Sequence, residues 1–273
     1  MSEILKGLGN LIGRFGYGPE LTDTTNQSFT VGGAPALNVH NTVGSIRVVT
    51  GDAGAIHVEA IRHARGITSD AQQADLDVIT ITCSQQGDTV RVDARMSQPG
   101  MALARQLWAD LRITVPSNTS VEAKAEAGNV EITGSQGPVA ARVDAGNLEL
   151  SGTSGRVTAN MGAGNLEASD VSLADGSRIT VAAGQVVLRG SLAPGASVEI
   201  RVEAGRARLT LPRTTATHLE ATADVGAVSI NGWPISVARN VVAARAFGDL
   251  GAGQLGRLTV RVSIGDITLS AAG

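Results

Sequence analysis

Hydrophobic and polar residues alternate one by one in short runs along most of this chain, and a glycine interrupts the alternation at regular intervals. The pattern is clearest in five successive phrases between Ala125 and Thr210: AEAGNVEITG, VDAGNLELSG, NMGAGNLEAS, VAAGQVVLRG and VEAGRARLTL. Alternation with a period of two is typical of β-strands. A repeat of about twenty residues built from such strands predicts a β-solenoid, whose successive coils stack on one another.

The repeated glycine marks the corner of each predicted coil, because only glycine reaches positive φ without a Cβ penalty. From Gly128 onward the steps between these glycines are 18, 18, 20 and 21 residues, and the phrase recurs near the C-terminus. Asparagine follows the first three glycines, which predicts a ladder of stacked Asn side chains. The corner residues are Gly128, Gly146, Gly164, Gly184, Gly205, Gly226 and Gly265.

The alternation also assigns residues to the inside of the coils. We expect the strand before each glycine to point small and branched apolar residues inward, as at Val139, Ala141 and Val143. The strand after each glycine does the same, as at Leu148 and Leu150. The sequence therefore predicts an all-β, single-stranded β-solenoid with coils of about 18–21 residues.

One segment precedes the predicted solenoid, which spans residues 27–273. The segment 1–26 contains a short amphipathic helix, whose apolar residues recur at helical spacing. It is expected either to cap the first coil or to anchor the protein to a membrane surface or a partner. Its apolar residues are Ile4, Leu5, Leu8, Leu11, Ile12 and Phe15.

Three further stretches depart from the repeat. Residues 69–74 predict one helical turn, and MALARQLWADL predicts a second short helix near 101–108. Residues 233–256 form either a degenerate coil or a protruding loop. The final phrase, LTVRVSIGDITLS, looks like an ordinary last coil without a cap, so its edge is expected to be open unless residues 233–256 cover it.

Composition narrows the functional classes. The chain of 273 residues has 34 glycines and only 2% aromatic residues, which suits a thin core of Ala, Val, Ile and Leu. A net charge of −3 provides no positive field for nucleic acid. The lone Cys83 excludes an internal disulfide, and no secretion signal or membrane span is evident. We expect a cytoplasmic protein, with peripheral association at the inner membrane surface as an open alternative.

The sequence contains no motif that strongly indicates catalysis, cofactor binding or metal binding. GAGQLG at 251–256 matches a dinucleotide fingerprint in letters, but a strand follows it where a helix is required. The four histidines lack metal-ligand spacing, so no catalytic, cofactor-binding or metal site is predicted. After the corner glycines, Glu131, Glu149 and Glu167 are expected to form a surface carboxylate column, neutralised by a cation, a basic partner, or water and Arg208.

The phrases GNVEI, GNLEL, GNLEA and GDITL, with the lead-in SIRVVTGDAGAIHVEA, resemble the bacterial "putative adhesin" family of β-strand repeats, a domain of unknown function. The resemblance covers about residues 28–270 and implies a β-solenoid with no catalytic residues. A looser, purely architectural likeness links the chain to bactofilins, which stack similar coils and polymerise end to end.

These observations predict a noncatalytic structural or interaction scaffold that presents a repeat-built surface. A protein partner or self-association is expected, with the membrane surface as a further partner through the N-terminal helix. An adhesin-like surface binder is the alternative, although few exposed aromatic residues are expected for stacking on sugars. A polysaccharide-active β-helix enzyme is the third possibility, and it would need a cleft of carboxylates beside a basic residue.

Overall fold

A computed structural model describes residues 20–51, 54–65, 69–97 and 106–272. One continuous sheet of eighteen strands winds through these residues, accompanied by a single helix, α1 (Ser69–Leu76). The strands are β1 (Glu20–Thr30), β2 (Ala36–Val43), β3 (Ile46–Thr50), β4 (Ala55–Arg65), β5 (Ile79–Gln86), β6 (Thr89–Met96), β7 (Leu107–Val115), β8 (Ser120–Thr133), β9 (Val139–Ser151), β10 (Ser154–Gly155), β11 (Val157–Leu173), β12 (Ser177–Leu192), β13 (Ser197–Pro212), β14 (Thr217–Val225), β15 (Val228–Asn231), β16 (Val237–Arg239), β17 (Ala244–Leu250) and β18 (Gly256–Ala272).

The middle of the molecule is the predicted β-solenoid. Strands β8, β9, β11, β12 and β13 pair in parallel, each with the next, and each bends at its glycine to form two sides of a coil. Residues that occupy the same place in the repeat lie directly opposite one another, as Leu148 does between Val130 and Leu166. One sequence repeat therefore corresponds to one coil of the stack.

The interior is narrow and apolar, as the alternation predicts. In β9 the side chains of Val139, Ala141, Val143, Leu148 and Leu150 are buried, while the residues between them face outward or lie at the corner. The same alternation runs through the neighbouring coils. Each coil thus contributes a few aliphatic side chains to one continuous core.

The corner glycines lie in one file along the stack, and each has positive φ, for example +140° at Gly146. A Cβ placed on Gly146 would lie 1.8 Å from the carbonyl oxygen of Gly128, and one on Gly164 would lie 1.6 Å from that of Gly146. No side chain fits at such a distance. Glycine is required here both by the backbone conformation and by the close approach of the coils.

The order of coils along the stack differs from the order along the chain at both ends. The C-terminal strand β18 lies between β13 and the pair β14 and β15, with parallel pairing on both sides. At the other end, β2 and β3 lie between β8 and the pair β6 and β7. The prediction that the last coil exposes its edge is therefore wrong, because both edges of β18 already bind other strands.

Residues 233–256 form neither a full coil nor an unstructured loop. They contain the antiparallel hairpin of β16 and β17, and β17 pairs antiparallel with β14 along Thr217–Ala223. The hairpin thus covers the outer edge of β14, the terminal strand of this side of the stack. An antiparallel strand reverses the chain direction, so it ends the parallel series.

The opposite end of the stack is also closed by antiparallel strands. Strand β5 pairs with β6, β4 with β7, and β1 with β4, while α1 packs against β1 and β4 and buries Leu76. Helix α1 confirms the helical turn predicted at 69–74. Strand β1 begins at Glu20, so the expected boundary between residues 26 and 27 falls inside a strand.

The helix predicted near 101–108 is wrong for the part that the structure describes. Residues Leu107–Val115 form β7, held between β3 and β4, and Leu107, Ala109 and Leu111 are buried in alternation. Residues 98–105 lie outside the described residues. The helical spacing of apolar residues is overruled here because a strand gains two hydrogen-bonded neighbours.

Candidate functional site

A ladder of polar side chains follows the corner glycines along the outside of the stack. The side-chain amide of Asn147 donates to Asn129 Oδ1 at 3.0 Å, and that of Asn165 donates to Asn147 Oδ1 at 3.3 Å. Beyond Asn129, Ser45 donates through its backbone and hydroxyl to Asp110 Oδ1 at 3.0 and 2.6 Å. The predicted Asn ladder is confirmed, and it joins successive coils at their corners.

The carboxylates of Glu131, Glu149 and Glu167 lie opposite one another on adjacent strands. Arg47 forms an ion pair with Glu131 at 2.6 Å, and Arg189 forms one with Glu167 at 2.8 Å. Among the described residues Glu149 has no ion pair. The column is therefore neutralised at both ends by arginines, and Arg208 is not among its partners.

Each coil has one side formed by the residues before its corner glycine, which we call the first side. Outward charges of opposite sign form ion pairs on this side. Arg142 and Asp144 lie 2.9 Å apart on one strand, and Arg261 of β18 reaches Asp224 of β14 at 3.0 Å. Such exposed pairs contribute at most about 1 kcal/mol each. This face is a charge-compensated, solvated surface.

Histidine–carboxylate contacts join the strands at the N-terminal end. His40 Nδ1 lies 2.9 Å from Asp93 and its Nε2 lies 3.1 Å from Glu126. Burial raises the pKa of Asp93, but hydrogen bonds from Arg95 and His40 outweigh this effect and hold that pKa below its usual value. These contacts link β6, β2 and β8, the three strands on which the side chains lie.

A second such cluster contains the only ring stack of the described residues. His63 stacks on Trp108 with ring centroids 4.7 Å apart, and its Nδ1 lies 2.7 Å from Glu20. Hydrogen bonds from Arg65 and His63 lower the pKa of Glu20. Trp108 is thus a packing residue.

The described residues contain neither a metal-binding cluster nor a membrane-spanning helix. Within the described ranges, no three His, Cys, Asp or Glu side chains are grouped so that they could hold a metal ion. In the same residues, no helix is of a length and hydrophobicity that would span a bilayer. The amphipathic residues from Ile4 to Phe15 lie outside the described residues. Cys83 is half-buried on β5, and burial raises the pKa of its thiol.

Exposed large apolar side chains are confined to the C-terminal end of the described structure. Three of them form what we call the C-terminal apolar patch: Val225, Val242 and Ile264. Val225 and Ile264 lie opposite each other on β14 and β18, and the carbonyl of Val242 accepts a hydrogen bond from the backbone amide of Gly226. The same corner position holds alanine in the middle coils, for example Ala145 and Ala163.

An open groove of about 610 Å³ lies on the first side of the same end, and we call it the Phe247 groove. Phe247, which is 71% exposed, points outward from β17 beside Glu220 of β14. The remaining charged residues that line it are Glu199, Arg201, His218, Arg245 and Arg261.

Sequence reasoning missed both features. Few aromatic residues were expected to be exposed, and among the described residues Phe247 is the exposed one, because the hairpin turns it outward. The alternation in ARAFGDL could have placed Phe247 outside, since Ala244 and Ala246, on either side of Arg245, are buried. The patch depends on β18 lying next to β14, which no local pattern indicates.

The family model described as Toastrack DUF4097 matches residues 39–221, about two thirds of the chain. The chain belongs to the Toastrack DUF4097 family. This confirms the resemblance to a bacterial repeat family of unknown function. No curated protein matches the sequence.

Solved structures similar to this Toastrack protein share little sequence with it. A "putative cell adhesion protein" of Clostridium sporogenes is 13% identical, with a TM-score of 0.37, and the match covers 92% of this chain and 100% of that one. A "putative adhesin" of Bacteroides fragilis is 12% identical, with a TM-score of 0.29 and coverage of 90% and 97%. A "putative lipid binding protein" of Parabacteroides distasonis is 10% identical, with a TM-score of 0.27 and coverage of 92% and 97%.

The Toastrack match ends inside β14, at residue 221. The C-terminal apolar patch and Phe247 all follow this point in the sequence. Among the described residues, the exposed large apolar side chains therefore all lie beyond the segment that defines the family membership.

Proposed function

We propose that this protein is a noncatalytic interaction scaffold that associates with a second copy of itself through the C-terminal apolar patch. The observation that carries the proposal is the confinement of the exposed large apolar side chains of the described residues to this end of the stack. Fully burying one such side chain contributes about 1.5–3 kcal/mol. Leaving several of them in water together is typical of an interaction surface.

The chemistry of the patch favours a second copy as its occupant. Its members are uncharged aliphatic residues, so two patches related by a two-fold axis can face each other without like charges at the centre. Nearby charges are already balanced by the ion pair between Arg261 and Asp224. A strongly charged partner would find no counter-charge inside the patch.

Sedimentation velocity of the full-length chain over a wide range of concentrations tests the proposal. We expect the wild type to sediment as a dimer or larger species, and the double variant Val225→Ser and Ile264→Ser to remain monomeric. Ala145→Ser is the matched control, because it changes an exposed residue at the same corner position in a middle coil. A monomeric wild type, or a double variant that associates like the wild type, would overturn the proposal.

An adhesin-like surface binder is the second candidate, and the exposed ring of Phe247 favours it. This function requires export of the protein. Fractionation of the producing cells distinguishes the two candidates, since a scaffold of the cell interior stays with the cytoplasmic or inner-membrane fraction. A polysaccharide-active enzyme receives less support, because outward carboxylates such as Asp144, Glu167 and Asp224 are paired with arginines on a solvated face.

A further inference from the structure

The Phe247 groove has a composition that the proposed self-association does not explain. Phe247 occupies an outward position of β17, where an aromatic ring gains nothing from the core. It lies on the flat first side of the stack, whereas the C-terminal apolar patch lies at the corner. The exposed ring of Phe247 therefore indicates a binding site that is separate from the C-terminal apolar patch.

Two unpaired charged side chains flank this ring. Glu220 lies directly opposite Phe247 on β14, and Arg245 is two residues from Phe247 on the same face of β17. Neither Glu220 nor Arg245 has an ion pair with another described residue. By contrast, Arg201 is bound to Glu199 at 3.1 Å and His218 to Asp249 at 2.7 Å on the same surface.

This trio matches the chemistry of a sugar ring. Each hydroxyl of a sugar both donates and accepts hydrogen bonds, and the groove offers a free acceptor in Glu220 and a free donor in Arg245. The C–H face of a pyranose packs on an aromatic ring, as Phe247 presents it. The groove volume of about 610 Å³ lies within the range of small-molecule sites, about 300–1,000 Å³.

We infer that the Phe247 groove binds carbohydrate, with Phe247 as the stacking surface and Glu220 and Arg245 as the hydroxyl-binding groups. Carbohydrate fits better than a peptide segment because the ring stands alone between two charged side chains on a flat strand surface. A hydrophobic peptide anchor would need neighbouring apolar residues, and these lie at the corner instead. The mixed signs of charge in the groove favour a neutral or weakly charged sugar.

The test probes an array of neutral and acidic oligosaccharides with the full-length chain, and then measures affinity for the best-retained oligosaccharide by biolayer interferometry. We expect Phe247→Ala to weaken binding by about ten-fold or more, and Glu220→Gln to weaken it by a smaller factor. Arg208→Ala is the control for a surface substitution elsewhere, since Arg208 is exposed, has no ion pair with another described residue and lies on a different side of the stack. Circular dichroism checks that each variant is folded.

Three outcomes would overturn the inference. The wild type could retain no oligosaccharide, or Phe247→Ala could bind as tightly as the wild type. Alternatively, Phe247→Ala could abolish self-association while leaving oligosaccharide binding unchanged, which would assign the ring to a protein contact. The monomeric double variant at Val225 and Ile264 keeps the groove intact, so its oligosaccharide binding separates failure of this inference from failure of the proposed scaffold function.

Discussion

Replacing Gly146 by alanine tests the stacking of coils most directly. The backbone of Gly146 has φ of +140°, and an added Cβ would lie 1.8 Å from the carbonyl oxygen of Gly128. Holding a residue with a side chain in this conformation costs about 1–3 kcal/mol. Relieving the clash must also separate two coils locally, which weakens a few ladder hydrogen bonds of about 1 kcal/mol each.

The expected loss of stability for Gly146→Ala is therefore about 3–5 kcal/mol. For a chain of this size this corresponds to a fall in Tm of roughly 6–20 °C. Thermal unfolding followed by far-ultraviolet circular dichroism measures it. Gly253→Ala is the control, because Gly253 has a similar positive φ, +133°, but its added Cβ would meet only the side chain of Ala216, at 3.5 Å.

The two variants separate backbone strain from contact between coils. Gly253→Ala should lose only the strain component, about 1–3 kcal/mol. If Gly146→Ala lowers Tm no more than Gly253→Ala does, the carbonyl contact between coils is not what demands glycine, and the reasoning about corners fails.

Three further predictions concern the core, the charge clusters and the N-terminus. Leu148→Ala should cost about 2–5 kcal/mol, because it empties a fully buried position between two coils, and an unchanged denaturation midpoint would contradict the assignment of faces. The lowered pKa of Asp93 stabilises the fold above about pH 4 and this contribution is lost as the pH falls through the folded-state pKa. The stability difference between wild type and Asp93→Asn should therefore shrink on acidification below about pH 4, and a constant difference would argue against the ion-pair account. Deleting residues 1–18 should leave Tm unchanged while lowering recovery on anionic vesicles; unfolding of the truncated chain would instead show that the segment is a structural cap.

The repeat, its period and the direction of most side chains could be predicted because they are local requirements. A corner that needs positive φ and a close approach between adjacent coils accepts only glycine. The corners at Gly128 and Gly164 could therefore be recognised from the residue type alone. A strand with one buried face alternates, so Val139 and Leu148 are recognisable as core residues. The Asn ladder follows from the same logic, since equivalent positions meet in an in-register stack.

Only the tertiary structure decided which coils are neighbours. All coils present similar backbone edges and similar aliphatic interiors. Either β14 or β18 could therefore pair with β13, and the sequence contains no local signal that selects β18. Long-range pairing also decided the start of β7, where the apolar residues fit a helix by spacing but β3 and β4 supply hydrogen-bond partners for a strand. The C-terminal patch and the Phe247 groove depend on this long-range order, because Ile264 meets Val225, and Phe247 meets Glu220, only after the chain has returned to the end of its own stack.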